Sequence, residues 1–146
     1  MKTLIYNLVF VLTLALGSQV YAQDQVISEK ELPQTASSFI KSYFPSEKIA
    51  RAEKDVDTNE TSYEVYFTNG VKVEFDQNGN WKEVDGKKKV SIPTAFIPKN
   101  ITTYISKNHA NSKIIKIEKD LTQYEVELSN GLEMKFDSEG QFLRFD

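Results

Sequence analysis

The sequence predicts an α+β fold: two tandem helix-plus-four-strand repeats that share an antiparallel sheet, with the helices on one face. Three observations carry this expectation. The stretch 32–85 recurs as 97–146. Each copy opens on apolar residues at helical spacing. Each then runs through short alternating segments separated by turns that end in glycine.

The recurrence is residue by residue. At a shift of 65, Leu32-Pro33 answers to Ile97-Pro98, Ile40 to Ile105, Ile49 to Ile114, and Glu53-Lys54-Asp55 to Glu118-Lys119-Asp120. Four residues then drop out of the second copy. At a shift of 61, Tyr63-Glu64-Val65 matches Tyr124-Glu125-Val126, Asn69-Gly70 matches Asn130-Gly131, and Phe75-Asp76 matches Phe136-Asp137. Gly79 matches Gly140, and Phe142 stands where the first copy has Trp81. A copy of roughly 50 residues is marginal alone because it buries too little surface. The two are therefore expected to form one domain, 32–85 and 97–146, with linkers at 23–31 and 86–96.

The first helix is expected over 32–44, where apolar residues fall at 32, 36, 39, 40, 43 and 44. Pro33 suits its first turn and Pro45 stops it. The second helix is expected from Ile97 to about His109. Strands are expected near 48–56, 62–68, 71–76 and 80–84, then 113–120, 123–129, 132–137 and 141–145.

Side-chain parity selects the hairpin loops. A two-residue Asn69-Gly70 turn would put mixed residues on both faces. A three-residue loop, Thr68-Asn69-Gly70 with a bulge, sets Val65 opposite Val73 and Tyr63 opposite Phe75, so one face becomes apolar. Ser129-Asn130-Gly131 likewise aligns Val126 with Met134 and Tyr124 with Phe136. The next turns bring Trp81 beside Phe75 and Phe142 beside Phe136.

The opposite face would then carry Glu64, Tyr66, Lys72, Glu74, Lys82 and Val84, with Glu125, Glu127, Glu133, Lys135, Leu143 and Phe145 from the second copy. With the helices on the apolar face, this face meets water. Tyr66, Val84, Leu143 and Phe145 are the apolar members among its charges, and they are the candidate partner-binding residues.

The first 22 residues read as an export signal: Lys2, an apolar run from Leu4 to Leu16 interrupted only by Asn7 and Thr13, and a small-x-small site, Val20-Tyr21-Ala22. Cleavage is expected after Ala22, and the run is short for a stable membrane span. The remainder keeps 17 of the 18 Lys+Arg against 21 Asp+Glu, a formal net of −4. Such a balance disfavours a nucleic-acid partner. The absence of cysteine removes disulfides, zinc–thiolate sites, thiol catalysis and attachment of a lipid to cysteine. Lys87-Lys88-Lys89, between the copies, reads as a solvated linker.

No catalytic, metal or cofactor residue is expected. His109, the one histidine, falls at a helix end where the first copy has Phe44, and a lone histidine without cysteine builds no His-rich metal site. No nucleophile elbow, phosphate loop or dinucleotide fingerprint occurs. Asp55-Val-Asp57-Thr-Asn59 and Asp76-Gln-Asn78-Gly-Asn80 alternate oxygen groups as calcium loops do. They lack the glycine at the sixth position and the glutamate at the twelfth, and these residue types favour turns for local reasons.

Leu32-Pro33, Tyr43-Phe44-Pro45, Tyr63-Glu64-Val65, Asn69-Gly70, Phe75-Asp76 through Gly79, and Trp81 resemble the periplasmic β-lactamase-inhibitor-like, PepSY-like family. The resemblance spans the exported chain in two copies; the second lacks Tyr-Phe-Pro and has Phe142 for the tryptophan. It implies helix-plus-sheet modules exported from Gram-negative bacteria, and by architecture a sheet face that grips a target. Together these readings point to a periplasmic or secreted, non-catalytic binding module, an inhibitor or modulator of an envelope protein or peptide. The alternative is a small-ligand or ion sensor of the envelope, for calcium or peptide.

Overall fold

Each strand pairs with the one that precedes it in the chain. The computed structural model describes residues 24–57, 59–87 and 90–146, so the expected export signal at 1–22 lies outside the described residues. Among the described residues, nine strands form one antiparallel sheet in sequence order: β1 Gln25–Ile27, β2 Ile49–Val56, β3 Thr61–Phe67, β4 Val71–Phe75, β5 Trp81–Gly86, β6 Ile114–Lys119, β7 Gln123–Leu128, β8 Glu133–Asp137 and β9 Phe142–Phe145. Two helices, α1 Gln34–Tyr43 and α2 Lys99–Asn108, interrupt the meander.

This architecture corrects the expected fold class. The molecule is a largely sheet fold, not an α+β pair of tandem helix-plus-four-strand repeats. Glu83, Val84 and Asp85 of β5 pair directly with Glu118, Ile117 and Lys116 of β6, so the sheet continues through the middle of the chain. A ninth strand, β1, pairs with β2 within a stretch expected to be linker. The helices are only ten residues each. Pro33 and Pro98 sit at their N-caps, and the last turns close where Phe44 and His109 donate their backbone N–H to Ile40 and Ile105 at 2.8 and 2.7 Å. Proline lacks an N–H to donate and fixes φ, so it bounds such helices sharply.

The parity of the hairpins is as expected. Val65 pairs with Val73 and Tyr63 with Phe75; Val126 pairs with Met134 and Tyr124 with Phe136. In the first loop the Gly70 N–H donates to the Phe67 carbonyl at 3.0 Å. The Val71 N–H donates to Asn69 Oδ1 at 2.9 Å. Gly70 takes φ +96°, a left-handed conformation that glycine adopts without a Cβ penalty.

The covered face holds the core. Phe39 of α1 meets Phe75 edge-on at 5.7 Å, Tyr104 of α2 meets Phe136 edge-on at 5.6 Å, and Phe44 stacks on Phe67 at 4.8 Å. Phe75, Phe136, Ile101, Ile117, Leu128 and Met134 are fully buried, each stabilising the fold by about 1.5–3 kcal/mol through burial. No polar or charged residue is buried among the described residues.

Candidate functional site

The face opposite the helices carries a row of carboxylates that runs straight across the sheet. Glu53 pairs with Glu64, Glu64 with Glu74, Glu74 with Glu83, Glu83 with Glu118 and Glu118 with Glu125. Beyond β7 the row turns basic: Glu125 pairs with Lys135 and Lys135 with Arg144. Like charges directly opposite each other destabilise a sheet, so this row needs cations beside it.

The first half supplies them from the neighbouring row. Lys72 Nζ lies 3.1 Å from Glu64, 3.1 Å from Glu83 and 3.6 Å from Glu74. Lys116 reaches Glu83 at 2.9 Å and Glu118 at 3.5 Å. Lys82 bridges Glu74 and Glu60 at 3.3 and 3.1 Å. Burial opposes charge on Lys72, yet the hydrogen bond to Glu64 and the attraction of Glu83 outweigh it and raise its pKa. Burial also opposes charge on Glu83 and Glu64. Lys116 and Lys72 overcome it for Glu83, and Tyr66 and Lys72 for Glu64, so both carboxyls titrate below their ordinary value.

Of the sequence-derived partner-binding residues, Tyr66 alone of the first half lies on this face. Its hydroxyl donates to Glu64, and the Arg51 guanidinium sits 4.4 Å from its ring centroid. Val84 is a correction: it is 0% exposed and pairs with Val73 in the core. A bulge causes this, since Phe75 pairs with Trp81 but Glu74 pairs with Glu83. Lys82 is thereby unpaired and parity flips after it. The same irregularity between Lys135 and Phe136 corrects Phe145, which pairs with Met134 on the covered side and packs on Phe142 at 5.0 Å. Phe145 stays 51% exposed and Leu143, in the bulge, 54%. Tyr66 on β3 and Leu143 on β9 are six strand steps apart, roughly 30 Å at the usual spacing, so the structure does not bring the four residues together.

The second half of the open face is acidic. Glu127 pairs directly with Glu133, and neither has an ion pair among the described residues. Carboxylate oxygens of Glu125, Glu133 and Asp146 lie within 4.8 Å of one another, and Lys135 Nζ approaches Asp146 at 2.9 Å and Glu125 at 3.5 Å. Sequence reasoning placed Glu64, Glu74, Glu125 and Glu133 on this face but missed the full row, because its Glu83–Glu118 link joins distant strands, and missed the cluster, because Asp146 follows the bulge between β8 and β9. The oxygen-rich turns behave locally: Asp76 Oδ1 accepts the N–H groups of Asn78 and Asn80 at 2.8 and 2.9 Å. His109 packs against Tyr104 and Phe145, with centroids 6.2 and 6.1 Å away.

Comparison with known proteins gives a concordant result. The family described as "Putative beta-lactamase-inhibitor-like, PepSY-like" matches residues 61–144. The chain belongs to this PepSY-like family. Three solved structures share its fold over most of their length. A "putative calcium-regulated periplasmic protein" from Bacteroides thetaiotaomicron is 46% identical with a TM-score of 0.81, the match covering 84% of this chain and 96% of that one. A "putative periplasmic protein" of the DUF2874 family from Bacteroides vulgatus is 45% identical, TM-score 0.79, with the same coverage. A second Bacteroides vulgatus "putative periplasmic protein of unknown function" is 36% identical, TM-score 0.79, covering 85% and 99%. No curated protein matches. Among the described residues of this PepSY-like chain, no helix is long and apolar enough to cross a membrane.

Proposed function

We propose that this protein is a non-catalytic periplasmic module that holds an envelope protein or peptide against the open face of its sheet and thereby inhibits or modulates it. The observation that carries the reading is the uncovered face itself. It is a continuous surface across nine strands, stiffened by the Lys72 and Lys116 lattice and leaving Glu127 and Glu133 without cations. Ordered, fixed charge favours selective docking over loose adhesion. The family and the periplasmic relatives support the setting.

The test is affinity capture from periplasmic extract with the unmodified protein, a Tyr66→Ser/Leu143→Ser variant and a Glu127→Lys/Glu133→Lys variant, each first shown to keep its thermal midpoint. A protein held by the unmodified chain and released by the open-face variants supports the reading. Equal retention by all three would remove the open face from consideration.

A second reading is a calcium sensor. The Glu125, Glu133 and Asp146 carboxylates favour it, as does the calcium-regulated description of one relative. Lys135 stands among these oxygens, so it must swing aside for a divalent ion. Calcium at 100 times its dissociation constant should then stabilise the fold by about 2.7 kcal/mol, and more readily in Lys135→Met. A thermal midpoint unchanged by millimolar calcium or chelator in both proteins rejects this reading.

A further inference from the structure

Below the Glu83–Glu118 pair, β5 and β6 part, and the sheet opens there into a groove of about 700 Å³. Trp81 and Tyr124 form its floor, their ring centroids 6.4 Å apart. Leu121, 100% exposed, stands at the lip. Glu118, Asp120 and Asp76 line the walls.

One group already occupies the aromatic floor. Lys119 Nζ lies 4.3 Å from the Trp81 ring centroid, within range for a cation–π contact. The ammonium is half-buried, yet among the described residues it has no salt bridge. Burial pushes its pKa down, and the attraction of Asp76 does not restore it. The groove therefore combines features suited to an organic cation: an aromatic face, carboxylates at the rim and an apolar lip. The tethered lysine covers the ring and attracts Asp76, which also accepts the Asn78 and Asn80 N–H groups, while Glu118 is reached by Lys116 at 3.5 Å. Asp120 Oδ1 accepts the Thr122 and Gln123 N–H groups at 2.6 and 2.9 Å and the Thr122 hydroxyl at 2.8 Å, which fixes the carboxylate beside the groove.

We propose that this groove binds an organic cation, an alkylammonium or guanidinium group with adjoining apolar atoms, and that Lys119 is its internal place-holder. The ligand cation takes the Trp81 face, its apolar atoms pack beside Leu121, and Lys119 is released to water. The site lies where β5 and β6 part and borders the open face at Lys82 and Glu118, but its aromatic floor packs against the core and does not depend on the open-face reading.

Trp81 is the only tryptophan, so its emission reports the groove directly. The protein, Lys119→Ala and Lys119→Met would each be titrated with tetramethylammonium, free arginine, a short arginine–leucine peptide and the neutral isostere neopentane-1,3-diol at constant ionic strength. The expected result is saturable change with the cations only, at about tenfold lower concentration once Lys119 is removed, since a competing cation–π contact is lost. Tighter binding of the peptide than of free arginine would make the source a basic peptide segment; equal binding would make it a free amine. Lys119→Met keeps the aliphatic stem should the alanine variant fold poorly. Absence of a saturable response in both folded variants, or an equal response to the neutral diol, overturns the proposal.

Discussion

The two halves of the open face are built on matching positions, and at three of them the charge is reversed. Lys72 corresponds in the chain to Glu133, Glu74 to Lys135, and Glu83 to Arg144; Tyr66 corresponds to Glu127. Around Lys72 the exchange produces a self-neutralising lattice in which one ammonium serves three carboxylates. Around Glu133 it produces crowded acids that share Lys135. The strand pairing is the same in both, so backbone geometry does not require the lattice. The difference separates a half whose face is bonded to itself from a half whose face is left for solvent or a partner.

The helix ends offer the sharpest way to test whether the first half is the more tightly packed. Phe44 is buried and stacked on Phe67, whereas its counterpart His109 is only partly buried. Phe44→Ala should cost about 3–4 kcal/mol through lost burial and the cavity left behind. His109→Ala should cost under about 1 kcal/mol, because its capping bond to Ile105 is a backbone bond that the substitution keeps. Urea midpoints would measure both. Equal losses would contradict the comparison.

The matching turns at Gly79 and Gly140 sharpen it further. Both glycines hold a left-handed φ, +82° and +81°, so alanine at either carries about 1–2 kcal/mol of conformational strain. Their surroundings differ. A Cβ on Gly79 would come within 2.8 Å of the Ala36 backbone nitrogen and 2.7 Å of Pro33 Cβ, at the start of α1. On Gly140 the closest atoms are the Asn100 and Ile101 side chains at 3.1 and 3.2 Å. Gly79→Ala is therefore expected to lose about 3 kcal/mol and Gly140→Ala about half of that, read from thermal melting. A reversed order would place the tighter helix–turn contact in the second half.

Local rules made part of this molecule legible. The hairpin registers followed from parity alone: only an odd loop puts Val65 against Val73 and Val126 against Met134, and both pairs are found. The bulges after Glu74 and Lys135 had no such signal, because neither face of β5 or β9 is apolar enough to reveal a slipped residue. Val84 and Phe145 were misplaced for that reason. The single continuous sheet depends on Asp85 meeting Lys116, residues far apart in the chain with no turn between them to set the register. Lys72 stood in plain view on an alternating strand, and parity already put Glu64 and Glu74 on its face; Glu83 joins them only through the bulge after Glu74.

Removing the central cation from each half isolates the electrostatic difference. Lys72→Met leaves Glu64, Glu74 and Glu83 side by side in a partly buried row, for an expected loss of about 2 kcal/mol at neutral pH after allowance for solvent screening. Glu64 and Glu83 titrate below their ordinary 4.5 in the fold, so their contribution is complete above that value and is lost as pH falls through the folded-state values. Lys72 titrates above its ordinary 10.5, so its contribution is complete below that value and is lost as pH rises through the folded-state one. The deficit of Lys72→Met should thus form a plateau from about pH 5 to 10 and shrink in acid, where protonated carboxyls need no cation. Lys135→Met should show a smaller loss that added salt erases, since its partners Asp146 and Glu125 are solvated. If the two variants instead lose stability equally, the second half is a structural lattice too, and its acids are framework instead of a docking surface.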